Sequence, residues 1–381
     1  MAKHALLSPS TASRWLYCTK APHFEEQFPD VKTSYAAEGT LAHAVAELAA
    51  RYWLGEYTGE QYEDALDILK TDGLFSLVMV EYAVDYAKLI VERSKALTDP
   101  VIALEQPLDI SNYATKCFGT GDCVIVGDGV LEIIDYKYGK GHRVEAENNP
   151  QMRLYALGAI KAFSSLYGID VVRMTIYQPR LTSGISMDEM SRKELEAWGR
   201  TFVKPRAKLA YAGKGEFAPS ENTCRFCRAA AMCKARTDYN LSLFDEGESE
   251  LMTIDEVAAL LEKAADIKQW LAALEDKVFV TLATGTPVPG WKLVAGRSNR
   301  RYTDEVKVAE ALQKAGIADE DIFERKLLTI TALEKLLGKK PVAEILDGLI
   351  EKPEGKPTLA PETDKRPAIT MAEQIIKEFD K

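Results

Sequence analysis

GTGDCVIVGDGVLEIIDYKY, from Gly119 to Tyr138, decides the fold of this chain. Two β-rich runs, Cys123–Val126 and Val130–Ile134, flank Gly127-Asp128-Gly129, and an Asp-Gly pair between such runs signals a tight antiparallel hairpin. With Asp128-Gly129 as a two-residue turn, opposed residues have numbers that sum to 257, which sets Asp122 against Asp135. Directly opposed Cβ atoms stand roughly 4.5 to 5.5 Å apart. Like charges that close repel unless something positive sits between them, and a divalent cation is the obvious candidate. Side chains alternate along a strand, so Lys137 shares the face of Asp135. Two carboxylates and an ammonium therefore converge on one patch.

Working outward, Asn149-Pro150 is a helix-start pair, with Asn as N-cap and Pro at the first helical position. Met152, Tyr155, Ala156, Ala159, Ile160 and Phe163 then recur at helical spacing and predict a packed face. Gln151 and Tyr155 lie one turn apart on this helix and both could border the patch. An aspartate on one strand, Asp-x-Lys on its neighbour and Gln-x-x-x-Tyr on the following helix resemble the PD-(D/E)XK nuclease superfamily in its RecB-like branch. Gly121-Asp122 stands where that branch carries Gly-Asp. The resemblance implies an α/β fold, a central mixed β-sheet flanked by helices with a restriction-endonuclease-like core. It also implies a hydrolase in which Asp122, Asp135, Lys137, Gln151 and Tyr155 form the catalytic group. The bland alternative is a solvated hairpin with a surface Asp–Lys pair, which the apolar Val124-Ile125-Val126 and Ile133-Ile134 oppose.

Upstream, EGTLAHAVAELAARYWLG from Glu38 reads as an amphipathic helix with Leu41, Ala44, Val45, Leu48 and Tyr52 facing inward. The resembling nucleases carry a Gly-x-x-x-His helix whose histidine completes the metal site, and Gly39 with His43 fits. The implied ligands of Mg2+ or Mn2+ are then His43, Asp122, Asp135 and the backbone carbonyl of Tyr136. Val101–Glu105 reads as a strand, on which Glu105 is either an outer ligand or an ordinary edge charge.

Cysteine usage gives a second signal. Cys224, Cys227 and Cys233 follow the spacing Cys-x2-Cys-x5-Cys, and three thiols so close suggest a metal or cluster. Cys18, at the end of a short helix opening near Ser8, reads alone as a buried thiol. RecB-like nucleases with an iron-sulfur cluster, including the AddB type and a CRISPR-associated type, use one upstream cysteine and three downstream at this spacing. The resemblance thus implies a 4Fe-4S cluster on Cys18, Cys224, Cys227 and Cys233. The alternative is Zn2+, although zinc ligands usually come in two close pairs.

At 381 residues the chain can bury a sizeable core. The formal net charge of -10 lowers the expectation of a broadly basic nucleic-acid binder, leaving room for a local basic strip. No apolar run approaches a membrane span and no leader pattern opens the sequence, so a cytoplasmic protein with no membrane partner is expected. The stretch from Asp64 to Thr98 is mostly helical, Val171–Tyr177 is a strand, and a helix runs from about Ser191 to Ala212. Arg180, after the strand, is a candidate phosphate contact. Residues 253 to 284 read as a long helix. WKLVAGRSNRRY follows, with Lys292, Arg297, Arg300 and Arg301 and no acid, as a candidate DNA-binding strip. A capping box from Thr331 to Glu334 opens a later helix. The expected organisation is a nuclease domain over 1–240, a mainly helical accessory region over 245–350 and a Pro- and charge-rich tail over 351–381.

The order of these motifs also resembles an uncharacterised phage and prophage family. That implies an exonuclease of phage replication or recombination acting on DNA, with a phage single-strand-binding or annealing protein as a candidate partner. A non-catalytic DNA-binding or replisome scaffold and a structure-specific endonuclease are the alternatives; an oligomer is compatible with the sequence.

Overall fold

A computed structural model describes residues 5–30, 34–141, 143–242, 253–294, 305–314, 323 and 327–350. Strands β1 (Val101–Asp109), β2 (Phe118–Gly127), β3 (Gly129–Tyr136), β4 (Ile169–Tyr177) and β5 (Ile185–Ser191) form one sheet in sequence order. β3 and β4 are parallel and the other neighbours antiparallel, so the sheet is mixed, as expected. Asp128 and Gly129 have φ of 49° and 78°, the left-handed pair that a two-residue hairpin turn of this hand requires. The ladder pairs Cys123 with Ile134 and Gly127 with Val130, which is the expected register.

The helices are α1 (Ala12–Trp15), α2 (Ala21–Glu25), α3 (Ser34–Trp53), α4 (Gly59–Lys70), α5 (Leu77–Lys95), α6 (Pro150–Phe163), α7 (Arg192–Trp198) and α8 (Lys204–Tyr211), followed by α9 (Glu221–Cys224), α10 (Lys234–Ser242) and α11 (Ile254–Ala283). From α3, α4 and α5, Leu41, Val45, Leu66, Met79, Tyr86 and Ile90 pack on the sheet face of Cys123, Ile125, Ile134 and Tyr136. From α1 and α6, Trp15, Leu16, Met152, Leu154 and Leu157 pack on the face of Val124, Val126, Leu131 and Ile133. Coverage on both faces explains why β2 and β3 read as continuous apolar runs rather than alternating ones. The inward face of α3 differs from expectation: Ala42, Ala46, Ala49 and Ala50 are buried, Ala44 is half-buried, and Tyr52 is exposed, stacked on Tyr62. The alanines let α3 approach α5 closely, which widens the buried stripe.

The link between β3 and β4 runs through α6. Asn149 caps it as the sequence predicts, its side chain accepting from the amides of Gln151 and Met152 at 3.0 and 3.3 Å. Mid-helix, Gly158 lies so close to β1 that a Cβ there would stand 2.9 Å from Leu108 Cβ and 3.2 Å from Ile110 Cγ1. α7 and α8 join through a π-helical turn at Gly199–Val203.

Beyond residue 245, α11 spans most of the expected 253–284 range and opens on a Thr253/Glu256 capping box. It is fastened to α10 by a buried ion pair, Arg236 to Asp266 at 2.7 Å. Gln269 adds a hydrogen bond to the carbonyl of Arg225 at 3.0 Å. The helix Ile330–Leu337 is capped by Thr329, whose side chain accepts the Ala332 amide. That corrects the expected cap at Thr331, which lies inside the helix: the boundary falls two residues earlier. The tail over 351–381 lies outside the described residues. Among the described residues no helix is long and apolar enough to cross a membrane.

Gly158→Val should lower stability by about 1 to 3 kcal/mol through overpacking against β1. Urea unfolding followed by circular dichroism reads this as a lower midpoint at unchanged slope.

Candidate metal centre and active site

The start of β2 and the end of β3 meet at one end of the sheet. Asp122 sits one position beyond the Cys123–Ile134 pair, and its Oδ2 accepts the Tyr136 N–H at 2.8 Å. The same oxygen lies 3.4 Å from His43 Nδ1 on α3. Asp135 has a side chain only 2% exposed, with Oδ2 2.9 Å from Lys137 Nζ. Its Oδ1 accepts from Gln151 Nε2 at 3.2 Å. Gln151 in turn accepts from Lys137 Nζ and donates to Tyr155 Oη, each at 3.4 Å. The structure therefore brings together His43, Asp122, Asp135, Lys137, Gln151 and Tyr155, and places the Tyr136 amide on Asp122.

Charge in this patch is finely balanced. Burial and the neighbouring Asp122 carboxylate push the Asp135 carboxyl above its usual range, against the opposing pull of Lys137. Burial also works against charge on Asp122, but the His43 hydrogen bond, the charges of His43 and Lys137 and the Tyr136 amide outweigh it and hold that carboxyl low. His43 and Lys137 are both desolvated, yet the carboxylates keep both above their ordinary values. Asp135 Oδ2 makes no hydrogen bond of good geometry despite being buried. A buried carboxylate oxygen is costly unless a cation serves it, and the Lys137 ammonium stands 2.9 Å from this one.

Glu105 joins this patch. Among the described residues, His43, Glu105 and Asp122 offer ligating atoms that all lie within 4.8 Å of one another. Glu105 is the unpaired position of β1 between Leu104, opposite Cys123, and Gln106, opposite Gly121. Its φ is 48°, a left-handed conformation inside a strand that costs a non-glycine residue about 1 to 3 kcal/mol. Burial and the nearby Asp122 and Glu47 carboxylates raise its carboxyl to about 7. The sequence left Glu105 open between ligand and edge charge, because a strand pattern does not reveal a positive φ. Asp135, expected as a close ligand, stands outside this compact trio with its carboxylate turned to Lys137 and Gln151.

The four cysteines meet elsewhere. Cys18, Cys224, Cys227 and Cys233 line one pocket with Phe24, Phe217 and Pro219. Burial pushes the Cys18 thiol up, and burial with the nearby Glu25 carboxylate brings Cys227 to about 12; thiolates there need a cation to be stable. Glu25, 4% exposed, bolts the two sequence ends of this pocket together. It pairs with Arg14 at 2.7 Å and accepts the Arg228 amide at 2.8 Å, while Arg14 donates to the Phe226 carbonyl at 2.8 Å. Cys117 and Cys123 are buried apart from this group.

The expected DNA contacts are scattered. Arg180 pairs with Glu38 at 3.1 Å and lies 4.5 Å over the Tyr138 ring. Lys292 is exposed. Arg297, Arg300 and Arg301 lie outside the described residues.

Glu105→Gly removes a carboxylate and the backbone strain together. Calorimetric Mn2+ affinity should fall by at least about tenfold, while the urea midpoint should hold or rise, since glycine accepts the left-handed conformation.

Among solved structures, the chain is similar to the alkaline exonuclease LHK-Exo from Laribacter hongkongensis, with 16% identity over 45% of this chain and 87% of that one, at a TM-score of 0.24. It is also similar to a protein of Eubacterium rectale provisionally described as an exonuclease, with 13% identity over 66% and 92% and a TM-score of 0.31. Scores and identities at this level bear on neither the activity nor the substrate of this chain. Over residues 4–367 the sequence matches the model of a family described as "Protein of unknown function (DUF2800)", and the chain belongs to that family.

Proposed function

We propose that this chain is a Mg2+- or Mn2+-dependent DNA nuclease of the PD-(D/E)XK type, supported by a structural 4Fe-4S cluster. One observation carries the reading: the Asp135–Lys137–Gln151 network stands beside the His43, Glu105 and Asp122 trio. A scaffold has no use for a buried ammonium held against an under-satisfied carboxylate.

The donor set fits a hard divalent ion, with the Glu105 and Asp122 carboxylates and the His43 imidazole within 4.8 Å of one another. Asp122, Glu105 and His43 would hold it, with Asp135, paired to Lys137 at 2.9 Å, beside them. When bound, such an ion supplies Lewis-acid polarisation of the phosphodiester and acidifies the attacking water. Lys137 places its positive charge where negative charge builds on the phosphoryl group. Gln151 fixes both Lys137 and Asp135, and Tyr155 Oη fixes Gln151 in turn. The buried position of Asp135 removes competing water from this network.

Four thiols around one pocket, three of them carried on one short stretch, support the cluster. One distant cysteine with three at Cys-x2-Cys-x5-Cys spacing suits the cluster better than zinc, whose ligands usually come in two close pairs. Nothing in phosphodiester hydrolysis calls for electron transfer, so the cluster is structural. Exonuclease action in phage replication or recombination is the biological setting we infer for it.

End-labelled linear duplex and single-stranded DNA, incubated with anaerobically purified protein and Mn2+ or Mg2+, should shorten, and Asp135→Ala should abolish the shortening. No cleavage by cluster-loaded protein on any end structure would sink the reading and favour a DNA-binding scaffold. Iron and acid-labile sulfide should co-purify at about four of each per chain and be lost in Cys18→Ala; stoichiometric zinc without sulfide would replace the cluster with a zinc site.

A further inference from the structure

Lys137 and Gln151 stand at opposite ends of the connection between β3 and α6, yet the proposed chemistry needs them in contact. Lys137 Nζ donates to Gln151 Oε1 at 3.4 Å, and Gln151 Nε2 reaches Asp135 Oδ1 at 3.2 Å. Both bonds lie at the long end of the N–H···O range, where a small shift breaks them. Whatever fixes the path of the connection therefore fixes this part of the site.

The end of β4 supplies that restraint. The Tyr177 carbonyl accepts the Lys137 amide at 2.9 Å, which carries the β3–β4 pairing one residue past Tyr136. The next residue, Gln178, is only 3% exposed. Its Nε2 donates to the Gly139 carbonyl at 2.7 Å, and its Oε1 accepts the Val144 amide at 3.0 Å. One side-chain amide thus ties two points of the connection together. The Gln178 backbone is itself held, its N–H donating to the Gly184 carbonyl at 2.6 Å and its carbonyl accepting the Leu181 amide at 3.2 Å. Only glycine permits that approach, since a Cβ on Gly184 would stand 2.2 Å from the Gln178 carbonyl oxygen. Past Val144 the connection is fastened to β5, where Ser186 Oγ accepts the Ala146 amide at 2.9 Å and Asp188 Oδ2 the Asn148 amide at 3.4 Å. Those bonds secure the end next to α6. The Gln178 amide joins that end to the one leaving Lys137.

We propose that Gln178 is a positioning residue: by tying Gly139 to Val144 it sets Lys137 and Gln151 at the separation at which both serve Asp135. The inference deepens the nuclease reading and rests on it. Gln178 acts through Lys137 and Gln151, as a buried support that orients the groups doing the proposed chemistry. Gly139 is exposed and Val144 half-buried, so water can replace the two bonds when the Gln178 amide is removed. The loss then falls on the geometry of the site more than on the stability of the fold.

The test is a double-mutant cycle in the full chain between Gln178→Met, which keeps the length of the side chain and removes both bonds, and Gln151→Ala. With Mn2+ and end-labelled DNA, Gln178→Met should lower kcat by about ten- to a hundredfold and leave KM within about twofold. On the Gln151→Ala background the same change should cost less than about threefold, because the group it positions is already gone. Hydrogen exchange followed by mass spectrometry should rise in Gln178→Met over peptides spanning 137–151, at an unchanged urea midpoint. An additive cycle, a loss carried by KM, or unchanged exchange over 137–151 would each overturn the proposal. Should Gln178→Met fail to fold, Gln178→Glu, which keeps the shape and the acceptor for the Val144 amide but loses the donor to Gly139, carries the same cycle. Absence of cleavage by the parent chain overturns the nuclease reading, and the exchange readout, which needs no activity, then decides on Gln178 by itself.

Discussion

Two carboxylates forced into one buried patch at the end of a hairpin are the constraint on which this structure turns. Asp122 and Asp135 are placed there by a register that the Asp128-Gly129 turn fixes, and a slip of one residue would send either side chain to the opposite face. The fold answers the crowding with two cationic side chains and one backbone donor. His43 comes from α3, Lys137 from two residues along the same chain, and the Tyr136 amide from the ladder itself. Gln151 then ties the cation and one carboxylate to the helix that follows. These partners come from three parts of the fold, so the geometry of the patch depends on how α3, the hairpin and α6 pack on one another.

The hairpin was legible in the sequence because its instructions are local. A turn pair that tolerates positive φ and two flanking β-branched runs fix the register, and the register fixes which acids meet. The α6 start was legible for the same reason, since Asn149 and Pro150 announce a cap. Glu105 was not, because its role depends on a left-handed backbone inside a strand, and no residue type marks that conformation when the residue is not glycine. The buried stripe of α3 was misread at Tyr52 and Ala44 because helical periodicity assumes one packing partner, whereas α3 has both α5 and the sheet. The closeness of α6 to β1 at Gly158 was equally hidden: a glycine in a helix says only that something is near, not what. The four-cysteine meeting was suggested by spacing for three of them, while Cys18 entered only through a family resemblance.

The two polar centres are built on different principles. The carboxylate patch is rigid because it is over-connected, with Gln151 and Tyr155 restraining groups that already attract one another. The cysteine pocket has apolar walls in Phe24, Phe217 and Pro219, and its order comes from the Glu25–Arg14 pair beneath it. That pair is nearly dry, and a buried ion pair of this kind contributes little net stability while making the loss of either partner expensive. It acts as a specification of which two segments belong together, with the backbone amide of Arg228 as the third point of attachment.

That attachment has a consequence for synthesis. Glu25 and the Arg228 amide are separated by 203 positions. A ribosome adding roughly 5 to 20 residues each second needs about 10 to 40 s to cover that distance. Throughout that interval the α1–α2 segment has been made without the loop that fastens it through Glu25. The α1–α2 segment is therefore tied to the loop at Arg228 only late in synthesis, and until then it relies on the sheet and α6 for its cover.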